Sequence, residues 1–566
     1  MNQTRSFLLI AWLVVAFLLF QQWQSPASVA TPNGETTPVA SPVNPTGALP
    51  GLPSLPNAST ATPTLLATTP AVVAQTVEIQ TDVFRLTIDL KGVSIIRAEL
   101  LTYPVTKAVG SPNIALLNNK PEDFFIAQSG WLTKSGQSAP THEALFQTVD
   151  GKNTFVLAEG QDQLSVPFVW TDEATGVQLI KTLVFKRGLF DIKQTQEIRN
   201  PGTEPWTGFA YQQLQRIAPP PPPKHAGLTN PDSFSFIGSA WYSNEDKFEK
   251  VKFADYLDNG VLQSPNKSVT GGWFGMLQHH FVTVWIPNKT DTQTYSLATT
   301  GNPSNPVYVV RGVSNETVVA AGSTYAREDQ LWLGPKAQKH MNAIHPALDL
   351  SVDYGIFSFL SQPLFWLLSK LYDLLGNWGW AIIAIVVILK ALLFPLSAKQ
   401  YQSMAKMRAI QPRIEALKER YGDDRQKFAM AQMDLYKKEK INPAAGCLPM
   451  LIPIPIFLAL YWVLVESVEL RQAPWIGWIQ NLTDPDPYFI LPALNLIIMF
   501  LTQKLSPTPG MDPLQKKMMT FMPLIFGVMM AFFPSGLVLY WVTNGALGLA
   551  QQWYMTKKFA ANPAHV

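Results

Sequence analysis

The sequence predicts a polytopic α-helical membrane protein that carries a large all-β domain outside the bilayer. Three observations lead there. Apolar runs on the scale of a bilayer's hydrocarbon core lie at the extreme N-terminus and again after Tyr354. A polar stretch of short alternating segments separates them. The loop from Ser397 to Gly446 holds eleven Lys and Arg, and basic loops of that length stay cytoplasmic.

The elements follow in order. Phe7 to Phe20 is apolar and follows the single Arg5. The small-residue site Ser28-Val29-Ala30 lies well beyond it, past Gln21, Gln22 and Gln24. This favours an uncleaved transmembrane anchor over residues 1–24, with a cleaved signal peptide as the alternative. Residues 25–75 are rich in Pro, Ser, Thr and Ala, with Glu35 their only charge, a composition that predicts a disordered linker. Residues 76–350 form the β domain. Phe84, Leu86, Ile88 and Leu90 alternate with Arg85, Thr87, Asp89 and Lys91, as a half-buried strand requires. Similar runs start at Phe155, Val177, Phe281 and Val307, punctuated by turn residues, and predict a sandwich. Pro219 to Pro223 reads as a stiff loop. His279 and His280 are expected on a strand edge facing opposite sides, so no shared metal is expected.

Residues 351–376 carry Leu360, Leu364, Leu367, Leu371 and Leu374 at helical spacing, interrupted by Ser361, Gln362, Ser369, Lys370 and Asp373. Such a helix can span, or lie in the interface. Parity decides. Arg5 and the basic 397–446 loop belong inside, and the β domain outside, so one crossing must connect Asp353 to Ser397. The 351–376 helix then lies on the outer interface, and Trp380 to Leu396 crosses. Further apolar runs are Leu448 to Val465, Tyr488 to Leu501, Met518 to Phe533 and Leu537 to Tyr554. The count is six spans, five of them in a core over residues 377–558, with both termini cytoplasmic and a short tail at 559–566. Within the basic loop, two helices joined at Gly422-Asp423-Asp424 form a hairpin. Met404, Met407, Met430 and Met433 give it a soft apolar stripe suited either to adaptable binding or to packing within the hairpin.

One charge stands out. Lys390 lies inside the crossing run, roughly 18 Å from its start at Trp378. An ammonium at that depth costs on the order of 3 kcal/mol, which makes it a functional candidate by default. Snorkelling is the bland alternative.

Much chemistry is absent. Residues 346–564 contain no histidine, which removes zinc-protease motifs and Ser-His dyads from the membrane region. No acidic residue lies inside a span, and no phosphate-binding loop occurs anywhere. The single cysteine, Cys447, permits no internal disulfide or thiolate cluster. A formal charge of +3 carries no nucleic-acid signal. No enzyme activity and no cofactor or metal are expected. What remains is a bundle with one buried cation, proline-broken helix ends at Pro449, Pro453 and Pro455, and polar span residues Asn495, Thr502, Thr543 and Asn544. The last are read either as cavity lining or as interhelical hydrogen bonding.

The segments QSMAKMRAIQPRIEALKERYGDD, NPAAGCLPMLIPIPIFLALYWVL, SVELRQAPW, DPYFILPAL and MTFMPLIFGVMMAFFPSGLVLYWVTN resemble the YidC-type membrane protein insertases of Gram-negative bacteria, as does GGWFGMLQHHFVTVWIP in the β domain. The resemblance runs the length of the chain. It implies an insertase and chaperone of the bacterial inner membrane, acting alone or with the Sec translocon and its accessory subunits on nascent membrane proteins. It further implies a five-helix core with a hydrophilic groove and a periplasmic super-sandwich without mutarotase activity. Lys390, Val386, Pro453, Phe457, Asn495, Tyr540 and Trp541 are the candidate groove residues. Met404, Met407, Arg413, Met430 and Met433 are the candidate hairpin contacts. Membrane lipids are expected partners, and a ribosome contact has weak support because the tail is short and lacks a basic run. The chain departs from the family pattern at Lys390, where arginine is common, at Pro453, where polar residues stand in close relatives, and at Trp541, where tyrosine is usual. The rival readings are a small-solute transporter, which would need inverted repeats not seen here, and an anchored carbohydrate-binding protein, which leaves five spans unexplained.

Overall fold

Alternating burial along the strands builds two large sheets between Thr76 and Pro335. A computed structural model describes residues 75–133, 138–220, 235–258, 261–262, 267–302, 305–398, 402, 409–421, 424–439, 453–505 and 513–561. The expected N-terminal anchor and all but Gln75 of the linker lie outside the described residues, as do Met404, Met407, Cys447 and Pro449.

Phe84–Asp89 shows the expected pattern, with Phe84, Leu86 and Ile88 buried and Arg85 exposed. It lies in an 11-stranded sheet whose centre is Trp206–Ile217, Phe125–Thr133 and Ser94–Pro104. A 9-stranded sheet packs on it, centred on Phe281–Ile286, Thr324–Pro335 and Asp191–Arg199. The layers are the sandwich that the alternation predicts. Their shared interior is not wholly apolar. Trp131 Nε1 donates to Gln196 Oε1 at 2.9 Å and Gln212 Nε2 to Asp329 Oδ2 at 2.9 Å, both from sheet to sheet. The fully buried Lys181 donates to the carbonyls of Gly92 at 2.7 Å and Ser129 at 3.0 Å, and burial pushes its pKa down to about 7. Directional bonds of this kind fix the relative position of two sheets that apolar contact alone would let slide.

The helices follow. We number them α1 (Gln338–Ile344), α2 (Ser358–Leu375), α3 (Trp378–Leu392), α4 (Gln411–Tyr421), α5 (Arg425–Lys438), α6 (Pro453–Glu466), α7 (Ile490–Leu505), α8 (Pro513–Met530) and α9 (Ser535–Ala561). Among the described residues, no helix is long and apolar enough to cross a membrane by itself. The helix bearing Lys390 breaks at Leu393, its C-cap, because Pro395 has no N–H to offer the Ala391 carbonyl, and helical backbone resumes over 394–398. Lys390 therefore sits in the last turn, where the helix dipole favours a cation.

Between α2 and α3 the chain turns on two residues. Gly376 takes a left-handed φ of 68° and closes α2, and Asn377 caps α3 by accepting from the Gly379 and Trp380 amides. Helix α2 buries Leu364, Phe365 and Leu368, and its Ser361 hydroxyl donates to the Ala459 carbonyl of α6 at 3.0 Å. Its other face mixes the exposed Lys370 and Asp373 with exposed Phe359, Trp366 and Leu374.

The β domain grips the C-terminal end of α6 through residues 465–472. His279 and His280 do not face opposite sides of a strand. They occupy the turn between two strands, stack with ring centroids 3.7 Å apart, and both place Nε2 2.9 Å from the Val465 carbonyl oxygen. A carbonyl only accepts, so both rings donate. Burial and the neighbouring His279 hold the His280 pKa well below its ordinary value. Glu466, buried one residue on, accepts from Ser235 Oγ at 2.9 Å and lies 3.9 Å from His279 Nε2. Lys336 is equally buried and is charge-coupled to Glu466. Glu469 accepts the Gln338 amide at 3.2 Å, Tyr354 bridges Gln338 and Ser467, and Arg471 donates to the carbonyls of Pro104 and Val105.

Burial pushes the Glu469 carboxyl from its ordinary 4.5 up to about 7. A raised folded-state pKa means stability that is fully present below the ordinary value and lost as pH rises through 7. Hydrogen exchange of the 466–472 amides, corrected for intrinsic rates, should show protection falling several-fold between pH 6 and 8. Glu469→Gln, which cannot ionise, should remove that fall. An equal fall in the variant would place the pH response elsewhere.

Candidate functional site

The sequence-predicted groove residues come from helices that pack around α9. Helices α3, α6 and α7 all contact it. The Phe457 ring of α6 stacks on Tyr540 with centroids 6.2 Å apart and leans on Trp541 at 4.9 Å. Tyr540 is buried, and Trp541 is half-buried. These three form one aromatic layer. Asn495 of α7 is buried, and its amide reaches Met499 Sδ at 3.8 Å within its own helix. Val386, one turn before Lys390, is packed shut at 1% exposure, so it supports α3 rather than lining an open surface. Of Pro453 only the backbone is described, at the start of α6.

Lys390 faces α9. Its Nζ lies 3.4 Å from where a Cβ on Gly548 would stand. It makes no ion pair with any described residue. One turn earlier, a Cβ on Gly545 would meet Ile498 Cγ2 of α7 at 2.8 Å. The two glycines thus have different duties: Gly545 lets α7 close on α9, and Gly548 leaves room for the ammonium. Sequence reasoning passed over both, although small residues on an apolar helix are where helices approach closely.

The loop hairpin pairs α4 with α5 through Ile410, Ile414 and Tyr436, with Phe428 and Leu435 beside them. Arg413 pairs with Glu439 at 2.6 Å. Met430 and Met433 take no part in that core and stand 57% and 49% exposed. Met430 and Met433 are thus not the packing seam of the hairpin. No group of three or more His, Cys, Asp or Glu among the described residues could hold a metal ion.

The N-terminal ends of α3, α7 and α9 are tied to the segment 473–486. Ser535 Oγ, at the start of α9, donates to the Asn481 carbonyl at 2.9 Å. Asp486 accepts from Trp478 Nε1 at 2.9 Å and from the Leu491 amide at 2.7 Å. Trp475 lies flat against the bare Cα of Gly379 in α3, where a Cβ would come within 2.1 Å of its ring.

Comparison with known proteins places both halves. Residues 76–367 match the family model described as the YidC periplasmic domain, and residues 370–562 match the one described as 60Kd inner membrane protein. The chain is 50% identical to the membrane protein insertase YidC of Stenotrophomonas maltophilia strain R551-3, over 100% of this chain and 98% of that protein. It is 47% identical to the YidC insertase of Xanthomonas euvesicatoria pv. vesicatoria, over 100% of this chain and 99% of that one. The Xylella fastidiosa strain 9a5c insertase is also 47% identical, over 99% and 98%. Among solved structures, an active YidC insertase with its first transmembrane domain resolved aligns over 85% of this chain and 92% of its own, at 19% identity and a TM-score of 0.38. A galactose mutarotase-like protein from Lactobacillus casei aligns over 46% of this chain and 99% of its own, at 9% identity and a TM-score of 0.29.

Proposed function

The chain belongs to the YidC family of membrane protein insertases, and from that premise we propose that it inserts nascent membrane proteins into the bacterial inner membrane through a groove governed by the charge of Lys390. One observation carries this reading. On an apolar helix, the ammonium is set against a glycine and not against a carboxylate. A cation kept for structure would be neutralised by a partner, because an unpaired charge away from water is costly. A cation left open attracts anionic substrate groups, and low surrounding polarity strengthens the attraction.

The steps follow from the side chains. The nascent chain first meets the cytoplasmic hairpin, whose exposed Met430 and Met433 adapt to varied apolar segments. Its polar, often acidic, tail then enters beside Lys390. Its apolar helix slides past the Phe457, Tyr540 and Trp541 layer into lipid. Transfer of apolar surface at about 25 cal/mol per Å² drives that last step without a nucleotide. The six-span topology, with both termini inside and the β domain periplasmic, belongs to the same proposal and rests on the Lys/Arg asymmetry. The exposed Phe359, Trp366 and Leu374 of α2 then lie in the outer leaflet. Cooperation with the Sec translocon, and a ribosome contact, belong to it as well.

Topology is tested by labelling. A cysteine replacing Gly422 should react only from the cytoplasm, and one replacing the exposed Ala158 of the β domain only from the periplasm, in a background where Cys447 is replaced by serine. Labelling of position 422 from outside in intact spheroplasts contradicts the six-span arrangement.

The charge is tested by a substitution series with paired acidic and neutral tails, read by protease protection in cells depleted of their native insertase. Lys390→Arg should insert both tails, because charge and not a fixed fork of donors is required. Lys390→Ala should lose about tenfold on the acidic tail, equivalent to ~1.4 kcal/mol, and spare the neutral one. Lys390→Glu should be worse than Ala on the acidic tail only. Equal insertion of the acidic tail by the Arg and Glu variants rejects the electrostatic account.

A further inference from the structure

The loop at residues 104–112 joins the strands Ser94–Pro104 and Asn113–Leu117 of the β domain. Its sequence, PVTKAVGSP, holds one charge, Lys107. Other turns of the domain are built differently, and residues 118–123, 158–162, 172–176 and 287–291 each carry two or more charges. The Lys107 ammonium is drawn back to the bundle, where it donates to the Gln480 carbonyl at 2.5 Å. Val109, two residues on, is fully exposed, and Val105 is half exposed. An exposed valine means nothing by itself. Its setting here does.

Arg471 Nη2 donates to the carbonyls of Pro104 and Val105 at 2.8 and 3.0 Å, and Gln472 Nε2 reaches the same two oxygens at 3.2 Å. Gln472 does so from left-handed backbone with φ 57°, which a residue other than glycine seldom adopts. The loop is thereby fixed along the segment 471–480, which packs on the first turn of α3 through Trp475. In the proposed topology that segment lies at the periplasmic face of the bilayer, among the exposed Trp380, Ile476, Tyr488 and Phe489. The loop also meets much of its own backbone demand. The Val105 amide donates to the Pro112 carbonyl, Thr106 to Ser111 Oγ, and Ser111 to the Ala108 carbonyl, at 2.8 to 3.0 Å. Irregular backbone enters an apolar medium only when its polar groups are paired in this way.

We propose that the tip of this loop, with Val105 and Val109, is seated in the outer leaflet at the boundary of headgroups and acyl chains, and so ties the β domain directly to lipid. The proposal rests on the six-span topology above. Its partner is lipid because the exposed apolar residues beside the tip are themselves lipid-facing in that topology. The one charge of the loop is engaged by Gln480, so the tip recognises apolar surface and is indifferent to headgroup charge. The Val465 contact fixes one point of the β domain, and the seated tip fixes its tilt over the bilayer.

The test uses the full-length protein with Cys447→Ser, in vesicles of phosphatidylethanolamine and phosphatidylglycerol. A nitroxide is attached at Val109→Cys, at Val149→Cys or at Phe359→Cys, all of them exposed positions. Val149 stands in a charged turn with Asp150 and Lys152 and serves as the aqueous reference. Collision rates with oxygen and with a water-soluble nickel chelate are then compared. The oxygen-to-nickel ratio at 109 should exceed that at 149 several-fold, as for a label ~5 Å below the headgroup level. Replacing both lipids by phosphatidylcholine should leave it unchanged. An aqueous ratio at 109 beside a lipid-like ratio at 359 overturns this proposal and spares the topology. Aqueous ratios at both positions overturn the two together. A ratio at 109 that falls to the reference value in phosphatidylcholine also overturns it, because headgroup charge would then be what holds the tip.

Discussion

The Val465 carbonyl holds the two halves of this molecule together. Two imidazoles, stacked on each other and contributed by the β domain, donate to that one oxygen at the outer end of α6. Around it, Glu466, Ser467, Glu469 and Arg471 each bond or pair with residues that precede α2. Helix α6 also carries Phe457, whose ring stands on the aromatic layer of α9. The position of that layer thus depends on a clasp made by a domain with no other evident chemistry. The clasp is made of buried polar groups, which tolerate little displacement before a donor or acceptor is stranded. It is therefore held in one arrangement, which fixes the C-terminal end of α6 against the β domain.

Some of this was legible in the sequence and some was not, for physical reasons. Strand alternation such as Phe84 to Asp89 is a local signal and was read correctly, and the two sheets follow from it. The helices of the bundle also appear close to their apolar runs. The break at Leu393 was not read, although Pro395 announces it, because hydropathy does not register a missing hydrogen-bond donor. His279 and His280 were misread as strand-edge residues because neighbours in a turn do not obey the period of two. The clasp itself joins His279 to a carbonyl 186 residues away, and no local pattern announces such a contact. Lys390 was conspicuous because charge is rare in an apolar run. Gly545 and Gly548 were not, since a glycine draws notice only once its neighbours are known.

The charge and the clasp are complementary. In the proposed topology Lys390 lies towards the cytoplasmic ends of the helices, at the last turn of α3, while the polar contacts of Ser535, Asp486 and Trp475 close the opposite end. A groove closed outside and open inside passes a short tail without becoming a pore. The aromatic layer between the two ends marks where polar lining gives way to surface suited to lipid.

Helix α3 starts at an asparagine cap, breaks at Leu393 and resumes over 394–398. At 1.5 Å per residue the path from Trp378 to Ala398 is about 31 Å, against a hydrocarbon thickness of about 30 Å. On the reading proposed here, the two pieces together reach across a bilayer of ordinary thickness. Acyl-chain length then becomes a variable of the machine. A thicker bilayer holds this path upright and a thinner one tilts it, which shifts the depth of Lys390 relative to the headgroups.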